Sequence, residues 1–149
     1  EHTFPIYKAP YTVNQQEGQV VFGRGGYELY RTKDATYVTA TYRCPEDWWF
    51  FNFNSGWAII DNKRGDRYML REVEYYPTDT CFWIKDSRDK FGRFVLVFPP
   101  LPKKVKTVDF FIPSGESRFN FDGSEKHMSG LRVEDLRPKH RIPQGEVIR

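Results

Sequence analysis

Cysteine is scarce in this chain of 149 residues, and so are methionine and long apolar runs. Its two cysteines, Cys44 and Cys81, exclude a small fold stapled by several disulfides and allow one bridge at most. That bridge would stabilise the chain by about 3 to 4 kcal/mol on a chain-entropy estimate. Two buried thiols are the other reading, because the spacing does not fix the geometry a disulfide demands. No apolar stretch approaches the roughly 18 residues that a membrane-crossing helix needs, so no transmembrane segment is expected. A strong charge of one sign is lacking too. Lys and Arg number 23 against 20 Asp and Glu, a formal charge of +3. The excess lies at the end of the chain, where Arg137, Lys139, Arg141 and Arg149 face Glu146 alone. Elsewhere the signs alternate, as at Lys33 and Asp34 or Lys85 and Asp86, whereas a nucleic-acid binder gathers Lys and Arg on one face. Nucleic acid is not expected as a partner.

Patterns that carry catalysis are missing as well. His2, His127 and His140 stand far apart, and none belongs to an H-E-x-x-H pair that would aim two imidazoles at one metal. There is no G-x-S-x-G and no C-x-x-C. Gly23, Gly25 and Gly26 are followed by a strand pattern rather than the helix that a phosphate-cradling loop requires. Asp and Glu are scattered singly, as on a solvated surface. No catalytic residue, metal or cofactor is expected, and the chain reads as a non-enzyme; an enzyme is the remaining alternative, and it would need a concave pocket in which carboxylates or His residues converge.

What the sequence has in quantity is rings. Aromatic residues make up 17% of the chain against a hydrophobic total of 39%, so Phe, Tyr and Trp must supply much of the core. Rings and β-branched side chains suit a pleated, half-buried surface. Ten Pro and eleven Gly suit the turns of such a fold and would be costly inside helices. The alternation follows. Tyr27 to Arg31 and Ala35 to Arg43 form a predicted hairpin over Lys33 and Asp34, with Val38, Ala40 and Tyr42 on one side. Trp57 to Ile60, a turn over Asp61 to Gly65, and Asp66 to Val73 form another. Phe82 to Ile84, Phe94 to Phe98 and Val105 to Ile112 are further predicted strands, the last with Val108 and Phe110 inward. Asp86 to Lys90 is a charged connection with room for one helical turn. Pro99, Pro100 and Pro102 lack amide protons and must turn a stiff corner. Phe119 and Phe121 flank Asn120 in a last alternating segment, and Leu131 to Leu136 has a weaker pattern. The result is an all-β, immunoglobulin-like antiparallel sandwich of about seven to nine strands. Residues 1–19 form an extended lead-in with an edge strand near Tyr11 to Val13, 20–136 the sandwich, and 137–149 a loose basic tail.

Trp48, Trp49, Phe50, Phe51, Asn52 and Phe53 form a strand with rings on both faces, and only one face can be core. Trp48, Trp49, Trp57 and Trp83 are therefore the candidate binding residues, since rings displayed on a sheet stack on sugars or anchor a protein. Ordinary core packing is the competing reading. Cys44, Trp57 and Cys81 invite comparison with antibody-type domains, but Asp79 stands two before the second cysteine where the corner Tyr belongs. Arg64, Gly65 and Asp66 spell an adhesion tripeptide in a predicted turn, where Gly65 as a turn residue explains the match.

Several segments taken together resemble an uncharacterised family of small secreted or lipid-anchored domains of Bacteroides-type bacteria, some of which precede a thioredoxin-like domain. The residues are Asp34 to Thr36, Trp48 to Phe53, Gly65 to Leu70, Phe82 and Trp83, Phe98 to Pro102, Val108 to Gly115 and Phe119 to Gly123. The F-x-P-L-P segment followed by V-D-F is the most specific part. The resemblance implies an accessory β-sandwich exported to the periplasm or cell surface, with its signal peptide or lipid anchor removed; the start at Glu1 without Met agrees with such trimming. A partner in the cell envelope, protein or glycan, is the expectation. No catalytic residues come with the likeness, and the missing C-x-x-C excludes thioredoxin activity.

Overall fold

In the computed structural model the described residues are 6–8, 26–44, 46–86, 88, 90–113, 126–133 and 147–148. They contain strands and turns and no helix. The strands are β1 (Ile6–Lys8), β2 (Gly26–Arg31), β3 (Thr36–Cys44), β4 (Trp48–Phe51), β5 (Ala58–Asp61) and β6 (Arg67–Met69). They continue with β7 (Glu72–Val73), β8 (Phe82–Lys85), β9 (Lys90–Phe98), β10 (Thr107–Ile112), β11 (Lys126–Arg132) and β12 (Val147–Ile148). They make three four-stranded sheets, in the orders β12-β1-β8-β4, β2-β3-β9-β7 and β11-β10-β5-β6.

The hairpin of β2 and β3 forms where alternation placed it. Thr32 builds its turn: the hydroxyl accepts from the N–H groups of Asp34 and Ala35 at 3.2 and 3.3 Å. In the sheet this hairpin starts, Leu29 pairs with Val38, Val38 with Leu96, and Leu96 with Val73. All four are buried, so one cross-strand row spans the inner face. Thr39, Val95 and Val97 on the opposite face are buried too. Strands covered on both faces read as continuous apolar runs, which is why Phe94 to Phe98 stands out in the sequence.

β10 shows strict alternation, with Val108, Phe110 and Ile112 buried and the residues between them partly exposed. These three join Phe51, Phe82 and Ile84 of the β4/β8 sheet and Leu29, Val38 and Leu96 in a single core. The apolar faces of three sheets thus close on one interior, a sandwich-like all-β arrangement.

Several expectations change here. Twelve strands occur among the described residues, more than the seven to nine expected. One pair, β1 with β8, is parallel, which is possible because nearly half the chain lies between them as a crossover. The predicted strand from Asp66 to Val73 is two strands in two sheets. Leu70 is buried between them, its N–H bonding Trp57 O at 2.9 Å while Arg71 N–H bonds Val97 O at 2.8 Å. The chain steps across the core at Leu70. The predicted edge strand near Tyr11 to Val13 and the segment at Phe119 to Phe121 lie outside the described residues. Within the stretches read as lead-in and loose tail, Ile6 pairs with Ile148 and Tyr7 with Val147.

The β5–β6 turn is built by Asp61, which is 4% exposed. Its carboxylate accepts from the N–H groups of Lys63 and Arg64 at 2.9 and 3.4 Å, and its carbonyl accepts from Gly65 N–H at 2.6 Å. Gly65 has φ +83° and open space around it, so the glycine serves the left-handed backbone alone. Asp61→Ala removes the side-chain bonds, and a loss of about 1 to 2 kcal/mol is expected in urea unfolding. A loss below about 0.3 kcal/mol would mean that the turn holds without its acceptor.

Candidate functional site

β4 and β8 pair antiparallel with Trp48 opposite Lys85, Trp49 opposite Ile84, Phe50 opposite Trp83 and Phe51 opposite Phe82. Side chains alternate faces along a strand, so Phe51, Phe82 and Ile84 point to the core, where all three are buried. Trp48, Phe50, Trp83 and Lys85 share the other face. Trp48 is 42% exposed, and Phe50 and Trp83 are half-buried. Three rings displayed on one sheet face answer the question that a strand ringed on both sides poses.

The rings brace one another edge to face. Trp83 meets Trp48 at 6.2 Å and 74°, and Phe50 at 4.9 Å and 71°, the geometry that aromatic quadrupoles favour. Perpendicular rings do not form a coplanar platform. Acidic and basic groups flank them. Glu46 and Asp47 immediately precede Trp48, and their carboxylates lie 3.8 and 3.7 Å from the Arg88 guanidinium; all three side chains are more than half exposed.

The other two candidate tryptophans sit differently. Trp49 is partly buried and packs on the core, its ring near-parallel to Phe50 at 5.9 Å. Trp57 is 5% exposed and is removed from the site. It meets Phe53 at 5.4 Å and Phe110 at 5.8 Å, because the turn in which Trp57 N–H bonds Asn54 O aims its ring inward. Cys81 is buried, and the proposed bridge rests on Cys44, whose side chain lies outside those described. Arg64, Gly65 and Asp66 are exposed at the hairpin tip, as the turn prediction requires.

Sequence reasoning missed Phe50 as a member of the patch, although its i+2 spacing from Trp48 was the available signal. It also missed a polar cluster on the β5/β10/β11 sheet. There Asp109 accepts from Gly130 N–H at 3.0 Å and from the Asn62 amide at 3.5 Å, with His127 Nε2 at 3.7 Å. Gly130, at φ +68°, stands where the β10/β11 register shifts, so the carboxylate pins a bulge. Phe111 fills the space between, with the Arg67 guanidinium 5.5 Å from its centroid and His127 edge-on at 6.2 Å. Only register across β10 brings these residues together.

Among the described residues, no three His, Cys, Asp or Glu side chains converge as a metal site. Tyr68 has its hydroxyl held above the usual range for tyrosine, first by burial and then by the carboxylates of Asp66 and Asp61, against the lowering pull of Arg64. Such a shift keeps the phenol protonated and so moves it away from nucleophilic activation. No helix of the described residues is long and apolar enough to cross a membrane. No family model, curated protein or solved structure matches the chain.

Proposed function

We propose that this chain is a non-enzymatic interaction domain of the bacterial envelope and that the face bearing Trp48, Phe50 and Trp83 docks a protein partner. The observation that carries the reading is the 42% exposure of Trp48 beside Trp83 on a face turned away from the core. What that face offers is area and shape rather than proton transfer or metal chemistry. Exposed rings of this kind are the anchors of protein interfaces, since they bring large contact area at little entropy cost. A sugar would need an open planar platform, and rings crossed at 74° and 71° offer it poorly. The envelope setting rests on the resemblance to exported Bacteroides-type domains.

Capture from envelope extract is the test. Trp48→Ala is expected to weaken capture by roughly 30-fold, the loss of one interface anchor, while changing folding stability by less than about 1 kcal/mol. Equal capture by both proteins would refute the reading. Glycan-array binding that disappears with Trp48→Ala would transfer the surface to a carbohydrate.

A further inference from the structure

Charges that alternate along the sequence are gathered by the fold at one end of the sandwich. Arg31, which ends β2, donates to the carbonyls of Pro102 at 2.8 Å, Lys103 at 3.0 Å and Val105 at 2.5 Å. The β2–β3 turn, with Lys33, therefore lies beside the corner that follows β9 and carries Lys103, Lys104 and Lys106. Val133 N–H bonds Lys106 O at 3.0 Å, and Arg132 stands opposite Thr107, which brings the end of β11 to the same place. Val108 pairs with Leu131 on one side and Asp61 on the other, so the β5–β6 turn with Lys63 and Arg64 completes the group. All seven of these cations are exposed, and none has an ion pair. Although Glu134 and Asp135 come next in sequence, they leave Lys106 and Arg132 in that state. Among the described residues of these segments, Asp34 and Asp66 are exposed carboxylates and Asp61 is buried under its own turn. Seven cations against three carboxylates leave an excess of four positive charges at one end of a chain whose total is +3.

We infer that this basic end docks on an anionic phospholipid bilayer, its loops meeting the headgroup phosphates. The inference is independent of the ringed face, and either surface can fail without the other. The cations are borne by four separate segments and are all exposed, so a single phosphate reaches only a few of them, whereas an extended anionic surface engages them together. Single-stranded nucleic acid needs rings on which its bases stack. The exposed large apolar side chains, Trp48, Met69 and Tyr75, belong to none of these segments. The cations also have no ion pair to break before they meet phosphate oxygens, with which charge-assisted hydrogen bonds are strong. Their backbone is already held. The Arg31 bonds and Val105 N–H on Pro102 O at 2.9 Å fix the corner, and the Asp61 carboxylate fixes the β5–β6 turn, which lowers the entropy lost on docking. Attraction to an anionic surface adds roughly 5-fold in affinity for each Lys or Arg brought near it, and salt screens it. The contact is therefore reversible and needs several of the cations at once.

Co-sedimentation of the whole chain with lipid vesicles reads this directly. Vesicles of phosphatidylcholine with one-third phosphatidylglycerol should carry the protein down at about 0.05 M salt and release it by about 0.5 M, where screening leaves only the closest contacts. Vesicles of phosphatidylcholine alone should carry down none. Lys103→Gln, Lys104→Gln and Lys106→Gln combined should weaken binding roughly 100-fold and Arg132→Gln roughly 5-fold, whereas Lys85→Gln, on the β4/β8 sheet, should change it less than about 2-fold. All of these side chains but Lys85 are exposed, so the thermal midpoint of the triple variant should stay within about 2 °C of the wild type. Inorganic phosphate at matched ionic strength should not compete. Failure to bind anionic vesicles, equal binding to neutral ones, or a folded triple variant that binds like the wild type would overturn the inference. So would competition by inorganic phosphate, a loss with Lys85→Gln as large as that with Arg132→Gln, or a tighter hold on a short RNA or DNA duplex than on the vesicles.

Discussion

Replacing Phe94 by alanine is expected to cost about 3 to 5 kcal/mol of folding stability, a large share of the 5 to 15 kcal/mol typical of a domain. Phe94 lies on β9 with 1% of its surface exposed. Its ring meets Phe51 at 4.8 Å, Phe53 at 5.0 Å, Tyr76 at 5.1 Å and Phe82 at 6.2 Å. Those partners come from β4, from the segment after it, from the turn after β7 and from β8. One ring thus joins the β3/β9 sheet to the β4/β8 sheet, and alanine leaves a void that four rigid neighbours cannot fill. Urea unfolding should show a lowered midpoint with an unchanged slope. A loss below about 1 kcal/mol would mean that the sheets are not joined through this cluster.

Arg31→Met is the second large effect, with an expected loss of about 3 kcal/mol. The side-chain volume is roughly kept, but the carbonyls of Pro102, Lys103 and Val105 lose the donor that now bonds all three. The bond to Val105 O is the buried one, so its loss carries the desolvation cost of that acceptor, whereas Pro102 O keeps the Val105 N–H and Lys103 is exposed. Arg31→Lys should recover only part of the loss, because a compact ammonium does not reproduce the planar fork. For a chain of this size the thermal midpoint should fall by roughly 10 °C with Met. Hydrogen exchange at Val105 N–H, bonded to Pro102 O, should accelerate selectively. A shift under about 2 °C with unchanged exchange would show that the proline corner holds itself.

Alternation made most of the sheet structure legible. Where one face is buried, period two is imposed on the side chains, and Thr107 to Ile112 carries it without interruption. The break at Leu70 could not be read in this way, since a buried Leu continues an alternating pattern whether the chain stays in its sheet or crosses to another. The parallel pairing of Ile6–Lys8 with β8 likewise has no local signature, because its partner lies nearly half the chain away.

The ringed face was half legible. Rings on both sides of Trp48 to Phe53 required an exposed set, and Trp48, Phe50 and Trp83 are that set. Trp57 was misplaced because its side is decided by the turn over Asn54 to Gly56, whose Asn54 carboxamide accepts from Gly56 N–H at 2.6 Å; composition says nothing of that phase. Arg31 resembled any strand-end arginine until the turn bearing the carbonyls of residues 102, 103 and 105 was folded over it.

Indole N–H signals observed with a soluble paramagnetic probe offer the most direct check on the division of the tryptophans. In dilute protein Trp48 should broaden strongly, Trp83 in part and Trp57 hardly at all. With a captured partner, Trp48 and Trp83 should become protected together. Broadening of Trp57 equal to that of Trp48, or a Trp48 signal still open to the probe once a complex has formed, would contradict the assignment of this face as the working surface.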